Sequence, residues 1–176
     1  MRKYPMALWG FALWLLMASA VSAQEPEPLP YPAGAVILEV SGDISIGNAK
    51  TPDGGWLARF DLEMLDALGD SSFRTTTPWD SARTYSGPAG SVLLDRLGAG
   101  GKDIIADALN DYSASIPRSD FMARGAILAT RVDGRPMTVR DKGPIFVVYP
   151  FDDRPELNRT EFFERSVWQL SRLHVE

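Results

Sequence analysis

Cysteine is absent from the chain, and histidine occurs once, as His174, two residues from the C-terminus. Without cysteine there is no disulfide, no thiolate nucleophile and no soft sulfur ligand for a metal. A single near-terminal histidine leaves little from which to build a Ser-His-Asp engine or a histidine-based zinc site. Positive charge is also short: 18 Lys and Arg stand against 23 Asp and Glu, a formal net charge of −5. Nucleic acid and anionic lipid both require a positive field, so neither is an expected partner. Long apolar runs are scarce as well.

The one sustained apolar run is Met6 to Met17 (MALWGFALWLLM), preceded by Arg2 and Lys3 and followed by Val21-Ser22-Ala23. A positive start, an apolar middle and small residues at a cleavage point form the three-part pattern of a secretory signal, with cleavage expected after Ala23. The run is shorter than the roughly 20 residues a membrane-spanning helix needs. No twin-arginine pair is present, so the general export route, which passes unfolded chains, is expected. Any cofactor would then be acquired in the periplasm. Loss of Arg2 and Lys3 lowers the net charge by two further units. Residues 1–23 read as the signal peptide, 24–34 as a flexible Pro-rich tether (QEPEPLPYP to Pro32), and 35–176 as one domain of ordinary size.

Within that domain, Ala35 to Ser41 (AVILEVS) reads as a first strand ended by Gly42-Asp43. Asp61 caps a short helix carrying Leu62, Leu65 and Leu68 and closed by Gly69. Ser72 to Thr77 is strand-like. Pro88 opens a second helix through Val92, Leu93 and Leu97, ended by Gly98. The second half is mostly extended: Ile104 to Leu109, Ser113 to Ile116, Ala126 to Val132, Ile145 to Tyr149 and Val167 to Val175, with a turn at Asp133-Gly134. Many short strands with two or three short helices between them predict an α+β domain of mixed β-sheet.

Four segments carry groups suited to more than packing: Thr75 to Trp79 (TTTPW), Ala108 to Tyr112 (ALNDY), Arg140 to Pro144 (RDKGP) leading to Tyr149, and Arg165 to Trp168 (RSVW). Each also has a plain structural explanation. Trp79 and Trp168 suit a core, Asn110-Asp111 suits an Asx turn, and Arg140 and Lys142 suit a solvated loop. Together they suit a pocket with aromatic faces, amides and a carboxylate for a donor-rich ring edge, and cations for an anionic tail.

The ordered series VSGDI, FDLEML, TTTPW, YSGPAGSVLLDRLG, ALNDY, IPRSDF, RDKGPIFVVYP and RSVWQL resembles the oxidoreductase molybdopterin-binding domain of sulfite-oxidase-type proteins, from about Val36 to Val175. It is most similar to short exported members that carry this domain alone. The resemblance implies a compact sulfite-oxidase-type fold with a pterin pocket at strand ends. It also implies a departure. In the enzymes a cysteine in the stretch that here reads Phe73 to Trp79 ligates molybdenum; threonines stand there in this chain. In the cofactor-gripping lysine run near the C-terminus, which here reads Arg165-Ser166-Val167-Trp168, the first cation is kept as Arg165 and the inner lysine is replaced by Trp168.

The resemblance therefore implies a non-enzymatic periplasmic protein that binds a reduced or molybdopterin-like pterin without metal. Its implied partner is the periplasmic part of an inner-membrane signalling protein, such as a cyclic di-GMP enzyme. Trp79 or Trp168 would stack on the ring and Asp111 would pair with its aminopyrimidine edge. Asn110, Tyr112 and Tyr149 would complete the site, and Arg140, Lys142 and Arg165 would meet the tail. Two alternatives remain open: a molybdopterin-dependent oxidoreductase or a subunit of one, and a protein-binding module with a vestigial pocket.

Overall fold

Strand-forming residues in this chain come in short pieces, and the structure assembles them into three sheets. The structure is a computed structural model and describes residues 27–176. The expected signal peptide and the start of the tether lie outside the described residues. The first part of the domain contains β1 (Leu38–Gly42), β2 (Ala49–Lys50), β3 (Trp56–Phe60), α1 (Leu62–Asp66), β4 (Ser71–Thr77), β5 (Asp80–Gly87) and α2 (Gly90–Arg96). Then come β6 (Asp103–Ala108), β7 (Ser113–Pro117), α3 (Arg118–Met122), β8 (Ile127–Ala129), β9 (Arg131–Val132) and β10 (Arg135–Pro136). The chain ends with β11 (Phe146–Val148), α4 (Thr160–Glu164) and β12 (Leu170–Val175). The class is α+β, mostly sheet, with four short α-helices among the described residues where two or three were expected.

Six strands form the main sheet in the order β2-β3-β1-β12-β6-β7, and β1 runs parallel to β12. One face is apolar at alternate positions, as a half-buried strand requires: Leu38 and Val40, Ala58 and Phe60, Ile104 and Ala106. Helices cover that face through Leu65, Leu93, Leu94, Phe121 and Phe162, all in one buried cluster. A second sheet, β10-β9-β5-β4, covers a smaller cluster containing Tyr85, Val132 and Phe146. The pair β8–β11 lies between the two. Leu128 and Val147 join the first cluster while Ile127, Ala129, Phe146 and Val148 join the second. Burial on both faces is the physical reason that the run at Ile145 to Tyr149 is apolar without interruption.

Part of the expected tether is seated on the domain rather than free. Leu29 is buried and Arg96 donates to the Pro28 carbonyl at 3.1 Å. Asn48 Nδ2 donates to the carbonyls of Pro30 at 2.7 Å and Arg59 at 2.8 Å, while its Oδ1 accepts from Arg59 N at 2.9 Å. Asp61 completes the attachment. Its Oδ1 accepts from Met64 N and caps α1, and its Oδ2 accepts from Ala33 and Gly34 N. Those backbone donors, led by Gly34, hold the Asp61 carboxyl below the usual carboxylate range. Proline without an N–H cannot join a ladder, but its carbonyl still accepts, so a Pro-rich strap is held by side chains. Asn48→Ala removes three hydrogen bonds at about 1 kcal/mol each. Urea denaturation is expected to show a loss of about 2–3 kcal/mol; a variant indistinguishable from wild type would mean that Asn48 does not hold the strap.

Candidate functional site

Three turns bring the aromatic residues together. At the β4–β5 hairpin, Thr77 Oγ1 accepts from Asp80 N at 3.1 Å and lies 3.4 Å from Trp79 N. This side-chain bond fixes the Pro78-Trp79 turn and leaves Trp79 projecting, 40% exposed. Before β12, Gln169 adopts φ 51°, a left-handed conformation that turns the chain between Trp168 and Leu170. Its backbone is pinned on both sides, N–H to the Lys142 carbonyl and C=O from Leu109 N, each at 2.9 Å. Between β6 and β7, Asn110 Oδ1 accepts from Tyr112 N at 3.3 Å, while Tyr112 Oη donates to the Glu164 carbonyl at 2.7 Å. That last bond ties the turn to the end of α4.

The result is a cavity of about 340 Å³ lined by Trp79, Asn110, Tyr112, Phe163, Glu164, Ser166 and Trp168. Its volume falls at the low end of the roughly 300–1,000 Å³ of small-molecule sites. The Trp79 and Trp168 rings stand perpendicular, 4.7 Å apart at 89°. Trp79 also meets Phe163 edge-on at 6.4 Å. Trp168 Nε1 is buried and has no acceptor within the protein. A buried N–H without a partner is uncommon.

Four of the nine expected site residues therefore share one cavity: Trp79, Asn110, Tyr112 and Trp168. Lys142 borders it, with Nζ 5.1 Å from the centre of the Trp168 ring and 2.5 Å from Asp80 Oδ2. Asp111 occupies the left-handed position of the β6–β7 turn (φ 65°), exposed and outside the lining. Arg140 is exposed in a 3-10 turn, Val139–Asp141. Tyr149 and Arg165 belong instead to a network around Asp120, which is 1% exposed. Tyr149 Oη donates to Asp120 Oδ2 at 3.0 Å and Arg165 lies 3.2 Å from the same oxygen. Arg124 Nε is 3.0 Å from Asp120 Oδ1, without the alignment of a hydrogen bond. Burial, then the Asp120 carboxylate, push the Tyr149 phenol far above its ordinary value.

Phe163 and Glu164 are lining residues that pattern reasoning missed, because the five-residue helix bearing them, Thr160–Glu164, is too short to show a period; Ser166 lies in the expected Arg165 to Trp168 segment without being singled out there. Asp80 was missed too; an acid beside a turn tryptophan is an unremarked feature until Lys142 is placed against it.

No family model and no curated protein matches this chain. The functional reading rests on the cavity and on the resemblance of the ordered motifs. Within the stretch Phe73 to Trp79, where the resemblance implies a metal-ligating cysteine, Thr75 is fully buried, its Oγ1 donating to Thr76 O at 3.2 Å and accepting from Asp152 N at 3.1 Å. That hydroxyl locks the hairpin to the Phe151-Asp152 loop. Among the described residues no cluster of acidic or histidine side chains is placed to hold a metal. The hydroxyls of this stretch are much poorer molybdenum ligands than a soft thiolate. Lys142 and Arg165 both face carboxylates, Asp80 and Asp120. Among the described residues no helix is long and apolar enough to cross a membrane.

Proposed function

We propose that this chain is an exported, non-enzymatic pterin-binding protein of the sulfite-oxidase type, which reports ligand occupancy to an inner-membrane signalling protein such as a cyclic di-GMP enzyme. The supporting observation is the perpendicular Trp79–Trp168 pair in a cavity whose lining also includes Asn110, Tyr112 and Glu164. One tryptophan face stacks on the bicyclic ring, an arrangement worth about 1–3 kcal/mol for nucleobases, whose flat heteroaromatic faces a pterin shares. Asn110 and Glu164, both lining residues, would meet the amino and ring N–H donors in this reading. Glu164 takes over the part first expected of Asp111.

The test is mass spectrometry for pterins and molybdenum on protein purified from the periplasm under reducing, light-protected conditions. A bound pterin at near one per chain without metal is the expected result. Stoichiometric molybdenum would restore an oxidoreductase, and protein free of both would leave a protein-binding module.

A further inference from the structure

Two cations lie near the cavity, and both are already matched. Lys142 is paired with Asp80 at 2.5 Å, and their side chains are only 18% and 27% exposed. Arg165 is held against the buried Asp120. Glu164 is the one charged residue of the lining. Asp80 directly follows Trp79, so its carboxylate is part of the same turn that carries the ring. The Lys142 ammonium is thereby directed at Asp80 while remaining 5.1 Å from the Trp168 ring centre.

An ion pair in a half-buried position presents little net field to a third group, whereas a lone ammonium there would attract any anion that enters. We propose that Asp80 is a specificity-determining residue: by pairing with Lys142 it keeps the Trp79–Trp168 cavity closed to anionic ligands and reserves it for uncharged rings. The assignment of the ring as a pterin rests on the preceding reading; the exclusion of anions does not. For a pterin, the consequence is that an unphosphorylated ring system binds and its phosphate esters do not. Removing the Asp80 charge frees Lys142 and opens the cavity to them.

The experiment has two arms, using the full chain with Trp9, Trp14 and Trp56 replaced by phenylalanine so that emission comes from Trp79 and Trp168. The first arm measures quenching by iodide, an anion, against acrylamide, which is neutral. Asp80→Asn is expected to raise the iodide constant about twofold with acrylamide unchanged. Lys142→Met, alone or combined with Asp80→Asn, is expected to give no rise. An unchanged iodide constant in D80N, or a rise that survives the loss of Lys142, overturns the proposal.

The second arm titrates 7,8-dihydroneopterin and its triphosphate. Wild type is expected to prefer the uncharged form at least about tenfold, and D80N to narrow that ratio by about tenfold. A ratio unmoved in D80N removes Asp80 from specificity. Binding of neither compound by wild type overturns the pterin reading alone, and the iodide arm still decides whether Asp80 excludes anions.

Discussion

Asp120→Ala is expected to lower the unfolding free energy by about 3 kcal/mol or more, a large share of the roughly 5–15 kcal/mol that holds a domain of this size together. Asp120 is 1% exposed and receives Tyr149 Oη at 3.0 Å, Arg165 at 3.2 Å and the close approach of Arg124 at 3.0 Å. Its removal leaves a fully buried phenol without an acceptor and two guanidinium groups without a counter-charge. The guanidiniums soften the loss, since Arg165 and Arg124 are 26% and 39% exposed and can turn toward water. The phenol cannot. Asp120→Asn keeps an acceptor for Tyr149 and loses only the charge, so about half the effect is expected. Tyr149→Phe, which removes one hydrogen bond and leaves both ion pairs, is expected to cost about 1 kcal/mol. Urea denaturation of the three variants gives the order. A Tyr149→Phe loss equal to that of Asp120→Ala would mean that the phenol bond, and not the charges, carries the network.

The network matters to the site because it supports the cavity wall from below. Arg124 and Arg165 lie on the Phe162 ring at 5.2 and 5.5 Å, and Phe162 is followed directly by the lining residues Phe163 and Glu164. Loosening Asp120 therefore loosens the end of α4, to which Tyr112 is bonded.

Much of the main sheet was legible because its strands alternate. Ile104 to Leu109 and Ser113 to Ile116 alternate well enough to be read, and the structure pairs them as β6 and β7. The strands that escaped have reasons of their own. β5 reads DSARTYSG, whose buried positions include serine and glycine and so carry no apolar signature. β3 reads WLARF, with its tryptophan exposed and only Ala58 and Phe60 buried. The expected strand Ala126 to Val132 is broken into β8 and β9, which serve different sheets. Val167 to Val175 is expected as one extended segment, yet β12 starts only at Leu170. A bulge between Leu170 and Arg172 resets its period, so Leu170, Leu173 and Val175 are all buried.

The same irregularity hid half of the site. Trp168 was noticed as an aromatic in a motif, but the left-handed Gln169 that turns the chain just after it leaves no mark in composition or period. Tyr149 is expected at the site as the end of the strand fed by the Arg140 to Pro144 loop, and Arg165 through the resemblance. Their partner, Asp120, lies 29 and 45 residues away along the chain, and no local pattern reports such a contact.

For the ligand, the largest effect is expected from Trp79→Ala, with retention of 7,8-dihydroneopterin reduced by about 30-fold or more. Two losses combine. The ring face itself is worth about 1–3 kcal/mol in stacking. Its removal also opens the cavity, because Trp79 is the wall that Trp168 meets at 4.7 Å and Phe163 at 6.4 Å. The fold should tolerate the change, since the ring is 40% exposed and the turn is held by Thr77 rather than by the indole. Trp79→Phe keeps a face and part of the wall, and is expected to lose about tenfold or less. Isothermal titration on both variants, beside their urea midpoints, separates the two contributions. If Trp79→Ala binds like wild type at an unchanged midpoint, Trp79 is not part of the site and the stacking surface must be Trp168 alone. If both variants lose binding equally, the indole N–H or shape, rather than an aromatic face, is what the ligand reads.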